Sequence, residues 1–166
     1  QGHIRHLGVS LAHPDEAERC LAHPALQVFQ VAANAWDDRM ARVGVFEVAR
    51  RSGRLCCIRS VYLQGLLTMT PAEVARRLPR AESAARQWRR TAAEHAIPPK
   101  ELAVRYAWGL GWPLVVGAET PEQVEETLAF CRRGALPAAV HTAVQAAMTP
   151  WMDEAILDPP RWPETE

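Results

Sequence analysis

Four short apolar runs, spaced by longer helical patterns, restrict this chain more than any other feature. The runs are Ile4–Ser10, Leu26–Asn34, Arg54–Leu63 and Trp112–Glu119. Each has the length of a strand and is bounded by turn or cap residues. Strands that are apolar over most of their length suit a sheet covered on both faces, the usual state of parallel sheets. Helix signals stand between the runs. Pro14 opens "HPDEAERCLAH" at a first helical position. A second helical stretch, "RMARVGVFEVARRSG", ends at Gly53, a glycine placed as a C-terminal cap. The sequence predicts α/β structure built from four βα units. Periodicity alone leaves two forms open: half of an eight-stranded barrel, or a small open sheet.

Extra helices interrupt the rhythm after the third run and at the C-terminus. Thr70, Pro71 and Glu73 have capping-box spacing, and Pro79 ends or kinks that helix. Another helix is expected over Ala81–Ala96, and Pro98–Pro99 separates it from "KELAVRYAWGL". Thr120, Pro121 and Gln123 repeat the cap logic, and "AAVHTAVQAAM" supplies a last helix before "DPPRWPETE". Residues 1–166 read as a single domain, with no interdomain linker.

The 19 basic and 19 acidic residues balance, so charge makes no case for nucleic acid or an anionic membrane. No apolar run approaches the ~20 residues of a membrane span. Cys20, Cys56, Cys57 and Cys131 fit no zinc spacing and read as reduced core residues of a cytoplasmic protein. His3, His6, His13 and His23 lack a carboxylate set with ligand spacing, so no metal is expected. The basic run "RRLPRAESAARQWRR" reads as a solvated helix face.

"GHIRHLGVS", "FQVAAN" with the following Asp37, "IRSVYLQGLLT" and "VVGAETPEQVEETL" together resemble the aldo-keto reductase family. Their order is similar to strands five to eight of that family's (β/α)8 barrel, and the resemblance covers nearly the whole chain. It implies that the chain opens at the barrel's midpoint, on the turn into strand five. The family moves a hydride between NADPH or NADH and a small carbonyl substrate. Its catalytic aspartate, tyrosine, lysine and histidine belong to the first half of the barrel, so no catalytic residue is assigned here. Tyr62 and Tyr106 do not stand in the catalytic context.

The resemblance implies a cofactor site, for NAD or NADP, at the strand ends. Ser10 and Gln30 match positions that meet the nicotinamide carboxamide, although Leu11 stands where the family usually has asparagine. Arg59 matches a position against the nicotinamide ring, and Ser60 and Gly65 match positions near the pyrophosphate. Gly117, Gln123 and Glu126 match positions around the adenine nucleotide. Val116 replaces a common proline, Thr127 a common asparagine, and Glu119 enters the phosphate loop. Each residue also has a structural reading: Ser10 ending a strand, Gln30 bonding inside the core, Arg59 pairing with an acidic neighbour. Asn34 reads as a loop cap.

The resemblance implies one of two functions. One is an NAD(P)-dependent carbonyl/alcohol oxidoreductase represented by its cofactor-binding half. The other is a non-catalytic module used for assembly or regulation. Four strands leave two open edges and a bare inner face, for which Val28, Gln30, Cys56 and Ile58 are candidates by the period-two rule. The expected cover is the N-terminal half of the barrel, a second copy of the chain, or the helical insert between Thr70 and Ala96.

Overall fold

The computed structural model describes residues 2–163. β1 (Leu7–Leu11) leads through α1 (Pro14–Ala22) to β2 (Leu26–Ala32). α2 (Arg39–Arg42) and α3 (Val45–Arg51) then lead to β3 (Leu55–Arg59). The three strands form one parallel sheet in the order β1-β2-β3. The expected single helix over 39–53 is broken at Gly44, where φ is +76°. A residue in that left-handed region interrupts an α-helix, and only glycine holds it without strain.

The fourth run forms no full strand. It touches the sheet at one parallel bridge, Ile58 to Leu114. Ile58 N–H donates to the Pro113 carbonyl at 2.8 Å, and its carbonyl accepts from Val115 N–H at 2.7 Å. Pro113 has no N–H to offer a neighbour, so it shortens the ladder on that side. β1 likewise begins at Leu7, leaving Ile4–His6 outside the strand.

Register decides which face each strand residue occupies. Ser10 pairs with Gln30, and Gln30 with Cys57. Val28 and Gln30 therefore lie on the open face, as expected, but Cys56 and Ile58 do not. Those two share the opposite face with Leu11, Phe29 and Val31 and are fully buried against α1–α3. The difference is one of parity: β3 starts at Leu55, which pairs with Val28, so Cys57 is the residue that faces with Gln30. Burial pushes the Cys56 thiol up to about 12, which keeps it unreactive.

The insert comprises α4 (Pro71–Arg77), a short 3₁₀ turn at Pro79–Ala81, and α5 (Glu82–Glu94). α6 (Pro99–Trp108), α7 (Pro121–Arg132), α8 (Ala138–Met148) and α9 (Glu154–Leu157) complete the chain. The insert does not lie on the open face of the sheet. With α6, α8 and α9 it forms a second core around Trp36, Leu66, Leu67, Trp88 and Tyr106. The basic run divides by role. Arg86 and Arg90 make surface i,i+4 pairs with Glu82 and Glu94, the solvated-face reading. Arg89 and Trp88 instead bind backbone carbonyls of the loop after β3. Among the described residues, no helix is long and apolar enough to cross a membrane.

Two measurements test this arrangement. Trp88 is fully buried and its indole N–H donates to the Leu67 carbonyl at 2.8 Å. Trp88→Phe keeps a ring but strands that carbonyl, with an expected loss of ~1–3 kcal/mol in urea unfolding. The second concerns pH. Glu16 accepts from the N–H groups of Ala12 and His13, and Glu73 from the N–H and hydroxyl of Thr70. These bonds hold both carboxyls below their ordinary value of 4.5. Their contribution is complete above that value and is lost as pH falls through the lowered one. The urea midpoint is therefore expected to drop on acidification, and less steeply in a Glu16→Gln, Glu73→Gln double variant.

Candidate functional site

The three strands are parallel, so Ser10, Gln30 and Ser60 all lie toward one end of the sheet. The Ile58–Leu114 bridge brings Gly117 to the same end. The loop leaving β3 there has an unusual backbone. Ser60, Leu63 and Gln64 have φ of +60°, +45° and +53°, and Gly65 has +89°. Non-glycine residues in this region carry roughly 1–2 kcal/mol of strain each. Such strain persists only where surrounding structure holds it, and it concentrates at functional sites.

Here the restraint is visible. Leu63 is 2% exposed and Leu66 and Leu67 are fully buried. Asn34 donates through Nδ2 to the Ser60 carbonyl at 3.0 Å, while its Oδ1 accepts from Trp36 N–H at 2.8 Å. This is the loop cap expected of Asn34. Arg77 donates to the Gln64 carbonyl at 3.0 Å. Arg89 donates to the carbonyls of Thr68 and Met69 at 2.7 Å each.

Between this loop and the segment from Val115 into α7 lies a cleft of about 680 Å³. Of the candidate residues, Ser60, Gly65, Gly117 and Gln123 line it. A Cβ added at Gly117 would meet nothing within 4 Å, so the backbone there is open to a ligand. Thr120 caps α7 by accepting from Gln123 N–H at 3.4 Å. The Gln123 side-chain oxygen accepts from Glu119 N–H at 2.8 Å, which leaves its NH₂ group available.

Ser10 and Arg59 adjoin the cleft without lining it. Arg59 donates to Ser10 Oγ at 3.3 Å, Ser60 Oγ at 3.0 Å and the Leu11 carbonyl at 3.2 Å. Among the described residues it has no carboxylate partner, contrary to its structural reading. Gln30 stands beside Ser10 on the open face, half-buried. Glu126 lies outside the lining, and its carboxylate is paired with Lys100. Tyr62 and Lys100 line the cleft but are absent from the set drawn from the sequence. Tyr62 stands inside the quoted "IRSVYLQGLLT" stretch and was available to it. Lys100, at the start of α6, carries no local signal. The Tyr62 hydroxyl is buried without a hydrogen-bond partner, and burial pushes its phenol up.

The aldo/keto reductase family's sequence model matches residues 1–149. The chain belongs to the aldo/keto reductase family. Solved structures agree on the fold. An aldo-keto reductase from Bacillus halodurans, in its apo form, superposes with a TM-score of 0.72 at 21% identity, over 88% of this chain and 52% of its own. Glycerol dehydrogenase from Gluconobacter oxydans gives 0.64 at 20%, over 90% of this chain and 50% of its own. A thermostable aldo-keto reductase solved with the inhibitor epalrestat gives 0.61 at 19%, over 89% and 50%. At these identities the likeness speaks for the fold alone. The chain spans about half the length of these reductases, consistent with half of a TIM barrel. No curated protein matches it.

The strained loop offers a direct test. Gln64 is exposed and sits at φ +53°. Gln64→Gly is expected to stabilise the fold by roughly 0.5–1 kcal/mol in urea unfolding, the left-handed penalty relieved less the entropy glycine loses.

Proposed function

We propose that this chain is the dinucleotide-binding half of an NAD(P)-dependent carbonyl/alcohol oxidoreductase. One observation carries the reading: a cleft at the C-terminal ends of parallel strands, bordered by an arginine that no carboxylate among the described residues neutralises. In (β/α)8 barrels, sites form at this end of the strands, and phosphates are often held after the last two. The residues present fit a dinucleotide. The orphaned Tyr62 hydroxyl is a buried donor at the cleft wall, and Gly117 leaves its backbone accessible.

In this reading Ser60, Gly65 and Gly117 bound the pyrophosphate, with Arg59 supplying positive charge beside it. Ser10 and Gln30 offer a hydroxyl and an amide to the carboxamide, the amide being both donor and acceptor. The NH₂ of Gln123 faces the adenosine side, and Glu126 acts there by holding Lys100 at the cleft. The nicotinamide supplies or accepts the hydride when bound. The proton donor for a carbonyl substrate lies outside these residues, so the chain by itself is expected to bind without turnover. A cytoplasmic location follows from the same reading.

Glu119 decides the choice of dinucleotide. It lines the cleft and has no ion-pair partner among the described residues. A carboxylate there opposes a 2′-phosphate more than a 2′-hydroxyl, which favours NADH over NADPH. Titration of the chain by nicotinamide fluorescence is expected to show tighter NADH binding. Glu119→Gln is expected to narrow the gap roughly two- to fivefold, the scale of one exposed charge interaction. Tighter NADPH binding, unchanged by Glu119→Gln, contradicts the selectivity. Absence of binding for both, under low salt, contradicts the dinucleotide reading and favours the non-catalytic module.

A further inference from the structure

Among the described residues that line the cleft, Lys100 is the one cation and Glu119 the one carboxylate. Lys100 is out of place by local rules. It stands in the first turn of α6, directly after Pro99, where a positive charge opposes the helix dipole. The adjacent Glu101 does not account for it, being buried and committed to Arg105 and Arg133. Lys100 instead reaches across to Glu126 on α7. Helical spacing explains how Glu126 holds it from outside the cleft. Gln123 and Thr127, four residues apart, both line the cleft. Glu126 stands one position before Thr127, about 100° around the helix, and turns toward α6. The pair is loosely held. The Lys100 side chain is 35% exposed and that of Glu126 42%. An ion pair this open adds little to stability, and its partners remain available to other charges.

We propose that Glu126 sets the choice of dinucleotide by neutralising Lys100, the cation that would otherwise hold a 2′-phosphate. The inference rests on the dinucleotide reading above and adds a second determinant to Glu119. Glu119 acts directly, as a carboxylate on the cleft wall. Glu126 acts through Lys100 and needs no contact with the nucleotide. A 2′-phosphate must compete with the Glu126 carboxylate for the ammonium group, whereas a 2′-hydroxyl gains little from that group in either state. Both carboxylates therefore favour NADH over NADPH, one by repulsion and the other by withholding a cation.

Binding of NADH and NADPH is measured by nicotinamide fluorescence for the unchanged chain, Glu126→Gln, Lys100→Met and the double variant. Glu126→Gln is expected to tighten NADPH binding roughly two- to fivefold, the scale of one half-exposed charge interaction, and to leave NADH little changed. Lys100→Met alone is expected to change neither affinity appreciably, yet to remove the gain when added to Glu126→Gln. That non-additivity is the signature of action through Lys100. The gain is also expected to shrink as salt is added. Urea midpoints are expected to stay together, so the comparison is among equally folded chains. Equal weakening of NADH and NADPH in Glu126→Gln, with or without Lys100, overturns the inference and makes Glu126 a direct contact of the adenosine moiety. An unchanged NADH-to-NADPH ratio in Glu126→Gln overturns it and leaves the dinucleotide reading standing. Absence of binding for both dinucleotides in every variant overturns that reading, and the inference with it.

Discussion

The arrangement of the site depends on the two hydrogen bonds of Ile58. Its side chain is fully buried among the helices that back the sheet. Its backbone joins β3 to the Pro113–Val115 segment, N–H on one side and carbonyl on the other. Among the described residues, those bonds are the backbone link between the three-stranded sheet and the segment that carries Gly117, Glu119 and the start of α7. Each is worth ~1 kcal/mol net in an ordinary setting. Their structural leverage is larger, because they place one wall of the cleft relative to the other.

The opposite wall is set by the insert. A loop with three non-glycine residues at positive φ does not hold that shape by itself. α4 and α5 hold it, through Arg77, Trp88 and Arg89, each bonded to a loop carbonyl. The leucines at 63, 66 and 67 fix it from beneath. The insert thus works as a brace for the cleft, and the second core is the base of that brace. This explains why a helical addition that leaves the inner face bare still matters to the strand ends.

Local chemistry made much of this legible in the sequence. The Thr70–Pro71–Glu73 box, the Thr120–Pro121 start, the break after Gly53 and the first three strands all follow from short-range rules, and all appear. Three features depended on distant partners. The fourth run reads as a strand, but a strand needs a continued ladder, and Pro113, which has no N–H to donate, leaves it at one bridge to Ile58. The faces of Cys56 and Ile58 turn on register, which shifts with a single residue. Arg59 reads equally well as an ion pair or a ligand contact. Only the fold shows that serine hydroxyls and a carbonyl surround it instead of a carboxylate.

Charge is distributed unevenly around the cleft. On the β3 side, Arg59 is bonded, among the described residues, to neutral acceptors, which orient a guanidinium without cancelling it. Lys100 is largely neutralised by Glu126. On the α7 side, Glu119 adds a carboxylate that has no ion-pair partner among the described residues. A compact polyanion filling the whole cleft would gain on one side and lose on the other. A ligand that is anionic near Ser60 and Gly65, and neutral near Glu119, gains without that loss. The cap of α7 acts in the same sense. Thr120 and Gln123 already occupy the Gln123 and Glu119 N–H groups that would otherwise attract a second anion. The two sides of the cleft therefore select for asymmetry in the ligand as well as for charge.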